Sequence, residues 1–351
     1  MSYKKYSCTI FALSILFLVL NLFLWHFVVS KTFFTTDDGH GDLTRLGCLP
    51  QIAFTNKNPE YKNKHVEFQN YLANEQAYND GFDIITIGSS CSNGGGGAYY
   101  QDYLTDHYGL KVLNVQYDVQ ALMIISESGY LDKFKPDYVI LECVERYFND
   151  ILTWEIKPVK NARTMLNLLD KKTMRFEKGK FFEPIMVNAN LTYAFALVYR
   201  LLHNDRMSLT TYVASLNENC FDSPDDERTL YYYYEDLNYL HKKFDMAAAN
   251  DSLNKIADYL AERNIKLIFL GLPNKHSLYF PLIKNNTLPE NTAFDDLEPL
   301  EKRYTFVNAK AIEREALLKD HVTDIFWCDD THWSYKGHKL ICDYIVKNVI
   351  K

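Results

Sequence analysis

Five short apolar runs recur along the chain at Phe82–Ile87, Lys111–Val115, Tyr138–Cys143, Ile265–Leu272 and, less apolar, Tyr304–Val307. Continuous apolar stretches this short, rich in Ile, Val and Leu, read as strands buried on both faces. Between them lie patterns of helical period at Ala98–Tyr108, Gln120–Lys133 and Asp251–Asn264; in the last, Leu253, Ile256, Ala257 and Leu260 fall on one face. Strands alternating with helices predict βαβ units, and so an α/β fold: a three-layer sandwich with a parallel central sheet. Residues 151–245 break the alternation with a basic stretch (Lys171, Lys172, Arg175, Lys178, Lys180) and the run Tyr231–Tyr234. They are expected to form a mostly helical insertion. The tyrosine run reads as a half-buried helix or as a platform of rings facing a glycan.

A second feature sets the compartment. From Cys8 to Val29 no side chain is charged. As a helix rising about 1.5 Å per residue the run spans roughly 33 Å, enough to cross a bilayer core. It is longer than a cleaved signal's apolar region, and no A-x-A-like site follows it. Lys4 and Lys5 precede it, and Asp37, Asp38 and Asp42 follow Lys31. By the positive-inside rule the N-terminus stays in the cytoplasm and the remainder lies outside. The expected organisation is a cytoplasmic tail and signal-anchor helix over 1–31, a connecting segment over 32–80, and the α/β domain over 81–351.

Composition removes other classes. Charged residues make up 24% and hydrophobic residues 47%, as in globular proteins, so wholesale disorder is excluded. A net charge of -7 argues against nucleic-acid binding, which needs a basic face. The seven cysteines form no CxxC pair and no zinc-finger spacing with histidine, so neither a metal site nor a cofactor is expected.

Two segments carry chemistry. Gly88-Ser89-Ser90-Cys91-Ser92-Asn93 and Gly94–Gly97 follow the first strand directly. In a parallel sheet that carboxyl end is where ligands bind, and turn amides there can hold an oxyanion. No Lys follows the glycines, so a phosphate loop is excluded, and Ser92 breaks the GxSxG elbow. A plain glycine-rich turn remains open. The second segment, Asp329-Asp330-Thr331-His332-Trp333-Ser334, precedes a helix expected over Leu340–Val349. An Asp two or three positions before a His can fix its tautomer, making His332 a general base. A helix start capped by Ser334 is the plainer alternative.

A serine after the first strand, joined to a D-x-x-H or D-x-H element before the last helix, is the arrangement of SGNH hydrolases. GSSCSNGGGGAYYQDYL resembles the GDSFSNGGGG-type block of SGNH-like proteins of the alginate O-acetyltransferase type, and DDTHWSYKGH resembles their DTHW block. YVILECVERYF and LPNKHSLY also resemble segments of those proteins. The resemblance implies Ser90 as nucleophile, His332 as base and Asp330 as orienting acid, with Asp329 the alternative acid. It implies Asn93, Gly94, Gly95, Arg146, Trp333 and Lys275 as oxyanion or substrate contacts. Where the family has Asp before the nucleophile and Phe after it, this chain has Ser89 and Cys91, and it has no plain GxND block. Cys91 is thus a rival nucleophile.

The implied activity is acyl transfer through an acyl-serine onto a cell-surface or exported polysaccharide, outside the cytoplasmic membrane. A multi-pass membrane-bound O-acyltransferase is the expected donor partner. A glycan esterase or deacetylase shares the first half-reaction, and a non-catalytic polysaccharide-binding subunit of an export complex is the third reading.

Overall fold

The computed structural model describes residues 3–24, 26–27, 41–43, 60–78, 81–88, 90–93, 99–116, 119–169, 198, 200–224 and 226–350. The basic stretch 171–180 and most of the connecting segment lie outside them. Helix α1, Tyr3–Leu24, is long and apolar enough to cross a membrane, with mean hydropathy 2.4 and none of its most apolar stretch buried.

Six parallel strands form the central sheet: β1 (Val66–Glu67), β2 (Ile84–Gly88), β3 (Val112–Gln116), β4 (Tyr138–Val144), β7 (Lys266–Leu272) and β8 (Thr305–Asn308), in the order β1-β3-β2-β4-β7-β8. All five apolar runs of the sequence are strands of this sheet. Side chains alternate across it as the two-residue strand period requires. Ile84, Val112, Ile140, Ile268 and Val307 enter one core; Ile85, Leu113, Val139, Leu267 and Phe269 enter the other. The first core includes residues of α2 (Tyr100–Tyr108), α5 (Ala309–Lys319) and α6 (Tyr335–Asn348). The second includes residues of α3 (Val119–Glu127) and α4 (Met246–Ala261), with Leu253, Ile256, Ala257 and Leu260 all buried. A sheet apolar on both faces needs both helical layers.

The differences from expectation have local causes. The helical pattern over Gln120–Lys133 is broken at Gly129, whose φ of 82° is a left-handed conformation that glycine adopts freely. A second short helix, Tyr130–Phe134, follows. The insertion is not simply helical: β5 (Thr211–Ser215) and β6 (Thr229–Tyr233) form an antiparallel hairpin. The tyrosine run is therefore strand rather than helix through Tyr233, because aromatic side chains pack readily on a pleated surface. Tyr231 and Tyr232 are buried, Tyr233 is half-buried, and Tyr234 is exposed.

Candidate active site

The turn after β2 is built by buried polar groups. Ser90–Asn93 form one 3-10 turn immediately beyond the strand. Ser92 Oγ donates to Glu142 Oε2 at 2.5 Å, and the Ser92 carbonyl accepts from Gln101 Nε2 and Asn114 Nδ2, both at 3.0 Å. Thr86 Oγ1 donates to Asn114 Oδ1 at 2.9 Å, tying the turn to β2 and β3. Gly88 is required by close approach: a Cβ there would meet Ser92 Oγ at 2.5 Å and Glu142 Cβ at 2.7 Å. The network extends to β1, where His65 sits between Asp102 Oδ1 (2.6 Å) and Glu67 Oε1 (2.8 Å). Burial alone would lower His65, but the two carboxylates outweigh it and lift it to about 9. Nothing in the residue spacing marked His65, because its partners come from two other elements.

On this turn Ser90 is exposed, whereas Cys91 is buried. Burial, reinforced by Glu142, pushes the Cys91 thiol well above its ordinary range, which keeps it protonated. The serine has the access that the rival nucleophile lacks. Asn93 closes the turn; Gly94 and Gly95 lie outside the described residues.

The loop before α6 is equally constrained. Phe326 and Trp333 pair as an antiparallel bridge, Ser334 N donates to Ile325 O at 2.9 Å, and Ser334 Oγ caps α6 at Lys336 N (2.9 Å). The reading of Ser334 as a helix cap holds, and α6 begins at Tyr335, ahead of the expected Leu340. The loop carries Asp330 and His332 inward. Asp330 Oδ1 lies 2.5 Å from His332 Nδ1 and 2.9 Å from its backbone N. Asp329, the alternative acid, is directed elsewhere: its Oδ2 accepts from Gly41 N at 2.9 Å. Burial would lower His332, but Asp330 and then Asp42 outweigh it and lift it to about 9. In return His332 outweighs the burial of Asp330 and holds that carboxyl below its ordinary range.

Asp42 was noted in the sequence only as a flanking charge. Its Oδ1 accepts from Thr331 N at 2.8 Å, its Oδ2 from Thr331 Oγ1 at 2.5 Å, and Oδ2 stands 3.7 Å from His332 Nδ1. Among the described residues, Asp42, Asp330 and His332 are the group whose ligand atoms lie within 4.8 Å of one another. Two ligands each about 2.0–2.1 Å from one tetrahedral zinc would stand roughly 3.3 Å apart. The 2.5 Å separation of Asp330 Oδ1 and His332 Nδ1 is instead that of a hydrogen-bonded pair.

Three other expected contacts differ in kind. Arg146 Nη1 pairs with Asp236 Oδ1 at 3.1 Å, and its guanidinium packs on the rings of Tyr147 (5.3 Å) and Tyr233 (5.8 Å). Its Nε has no partner among the described residues, and its charge is felt at both Cys91 and His332. Lys275, expected to contact substrate, is buried, and its Nζ donates to the carbonyls of Trp327 and Cys328 at 2.6 Å each. It clamps the histidine loop from behind. Trp333, also expected at the substrate, is buried in the core against Phe326 and His338. A Lys and a Trp beside a site motif cannot be assigned to pocket or core without knowing the loop's path.

The two segments share one end of the sheet. Cys91 lies in the same apolar core as Cys328 and Trp333, and its thiol feels the charges of Asp330 and Asp42. No hydrogen bond joins Ser90 to His332 among the described residues. His332 Nε2, the nitrogen opposite Asp330, is buried and has no partner there.

The parallel sheet with helices on both faces, and the loop before the last helix, are the arrangement of an SGNH hydrolase-like domain. Residues 228–349 match the family described as the SGNH hydrolase-like domain of acetyltransferase AlgX. The matched stretch contains β7, β8, Asp330 and His332; the Ser90 turn lies outside it. Neither curated proteins nor solved structures gave a match.

Proposed function

We propose that this chain is a membrane-anchored, extracytoplasmic O-acyltransferase that acetylates a cell-surface or exported polysaccharide. Ser90 is the nucleophile, His332 the general base, and Asp330 the acid that holds His332. The observation that carries the reading is the pairing of His332 Nδ1 with Asp330 while Nε2 has no partner among the described residues. An imidazole so held presents its second nitrogen to accept a hydroxyl proton.

In the first half-reaction Ser90 Oγ forms a bond to the acyl carbonyl carbon as His332 Nε2 takes the serine proton. The donor's alkoxide or thiolate then leaves with that proton, giving acyl-Ser90. In the second, an acceptor hydroxyl gives its proton to Nε2 and attacks the acyl carbon, and Ser90 recovers the proton. The Arg146 guanidinium supplies positive charge beside the reacting centre. Asn93, Gly94 and Gly95 complete the oxyanion contacts in this reading.

Helix α1 favours transfer over hydrolysis, since it holds the domain at the membrane where a multi-pass O-acyltransferase would pass acyl groups outward. The domain limits follow: anchor over 1–31, connection over 32–80, and catalytic domain over 81–351 with the insertion at 151–245. Ser90→Ala in cells making the polysaccharide tests the proposal. Loss of its O-acetyl groups at unchanged polymer yield is expected. Unchanged acetylation would leave only a binding subunit, and a rise would mark an esterase.

A further inference from the structure

The catalytic reading uses one carboxylate, yet two flank His332. Gly41-Asp42-Leu43 lie across the histidine loop as a strap. Gly41 N donates to Asp329 Oδ2 (2.9 Å), Asp42 N to Asp330 Oδ2 (3.3 Å), and Leu43 N to the Asp329 carbonyl (3.0 Å). Three successive amides therefore fall on two acidic residues 286 to 288 positions away in sequence. The fit is close. A Cβ on Gly41 would collide with the Asp329 carbonyl, and Leu43 is fully buried in the core that holds Trp333. Asp42 in turn accepts both the amide and the hydroxyl of Thr331, the residue between the acid and the base.

We infer that Asp42 is a positioning residue of the acid–base site, a second carboxylate that fixes the Thr331 peptide and sets the protonation of His332 from the segment ahead of the sheet domain. The inference rests on the triad reading of His332. Removing Asp42 would do two things: free the peptide that joins Asp330 to His332, and remove a negative charge 3.7 Å from Nδ1. A group that only fastened the strap would do the first and not the second.

Several charges face this imidazole. Asp330 and Asp42 favour its protonated form, and Arg146 opposes it. Buried His338 feels the His332 charge, and Lys275 faces the two aspartates. Burial, then repulsion from Asp330, lifts Asp42 to about 6, so its charge is present through the range where His332 titrates. One charge at this distance moves a titration midpoint by about one to three pH units, depending on the effective dielectric.

The test uses the full chain in detergent micelles with 15N-labelled histidine, His332 being assigned by its loss in His332→Gln. Asp42→Asn should lower the ring midpoint of His332 from about 9 by at least roughly one unit. The pH at half-maximal release of nitrophenolate from 4-nitrophenyl acetate should fall in parallel. Asp42→Glu, which keeps the charge, should hold the midpoint within about half a unit of the native protein. If Asp42→Asn does not fold, Thr331→Val takes its place, since it removes the hydroxyl that pins Oδ2 beside the ring. A His332 midpoint unmoved in the Asn or Val variant, or moved equally by Asn and Glu, overturns the inference. A shifted midpoint in a protein that takes no acyl group on Ser90 would uphold Asp42 and refute the nucleophile.

Discussion

Asp330→Asn isolates the acid's contribution, and its size follows from the geometry. The rise of His332 from 6.5 to about 9, the net of burial against Asp330 and Asp42, favours the imidazolium by roughly 3 kcal/mol. Asp330 is the largest source of that gain and the only carboxylate at 2.5 Å from Nδ1 among the described residues. At pH 8 native His332, at about 9, is only about one-tenth in the base form, so losing a shift of that size predicts acylation slowed by about 30-fold. Asn also presents an amide that can favour the wrong tautomer, and comparable Asp→Asn changes in Ser-His-Asp triads cost about 10⁴ in kcat. The expected loss therefore lies between about 30-fold and 10⁴-fold. The assay is the pre-steady-state burst of nitrophenolate from 4-nitrophenyl acetate at pH 8, with a thermal melt to establish folding. A folded Asp330→Asn protein within tenfold of the native burst rate would refute the assignment of Asp330.

Other expectations test the scaffold and the compartment. Gly88→Ala should lower stability by about 1–3 kcal/mol and slow acylation, because its methyl group meets Ser92 and Glu142; an unchanged melting temperature would contradict the close approach. Burial depresses His276 from 6.5 to about 4, so it contributes stability fully present above about pH 6.5 and lost as pH falls towards 4, about 3 kcal/mol in all. Urea unfolding of His276→Gln between pH 7 and 4.5 should show a shallower loss with acid than the native protein, and identical slopes would exclude the histidine as the cause. Protease added to intact spheroplasts should digest the chain beyond Lys31, whereas complete protection would overturn the proposed topology.

The sheet was legible because each core strand is a continuous aliphatic run, and burial on both faces leaves no polar position to blur it. Asp330 and His332 were legible as a pair because they are two residues apart on one loop. Asp42 was not, since what brings it to Thr331 is the docking of a strap across 289 positions of sequence, and no local period records such a contact. His65 was hidden in the same way, its partners Glu67 and Asp102 lying on β1 and α2. Lys275 and Trp333 were assigned to the substrate by their nearness to site motifs, but the loop turns both inward, the ammonium onto carbonyls and the indole into the core. The Tyr231–Tyr234 run lacked the polar alternation of a half-exposed strand, so its hairpin was visible only through the pairing of β6 with β5.

The central claim is that Ser90 carries the acyl group, and it can be read directly. The full chain in detergent is incubated with 4-nitrophenyl acetate at pH 8, quenched in acid, digested and examined by tandem mass spectrometry. The account predicts one acetyl group on Ser90, absent from Ser90→Ala and strongly reduced in His332→Gln. A chain acetylated at Cys91, or one left unmodified at Ser90 while the native protein acetylates its polysaccharide, would contradict it.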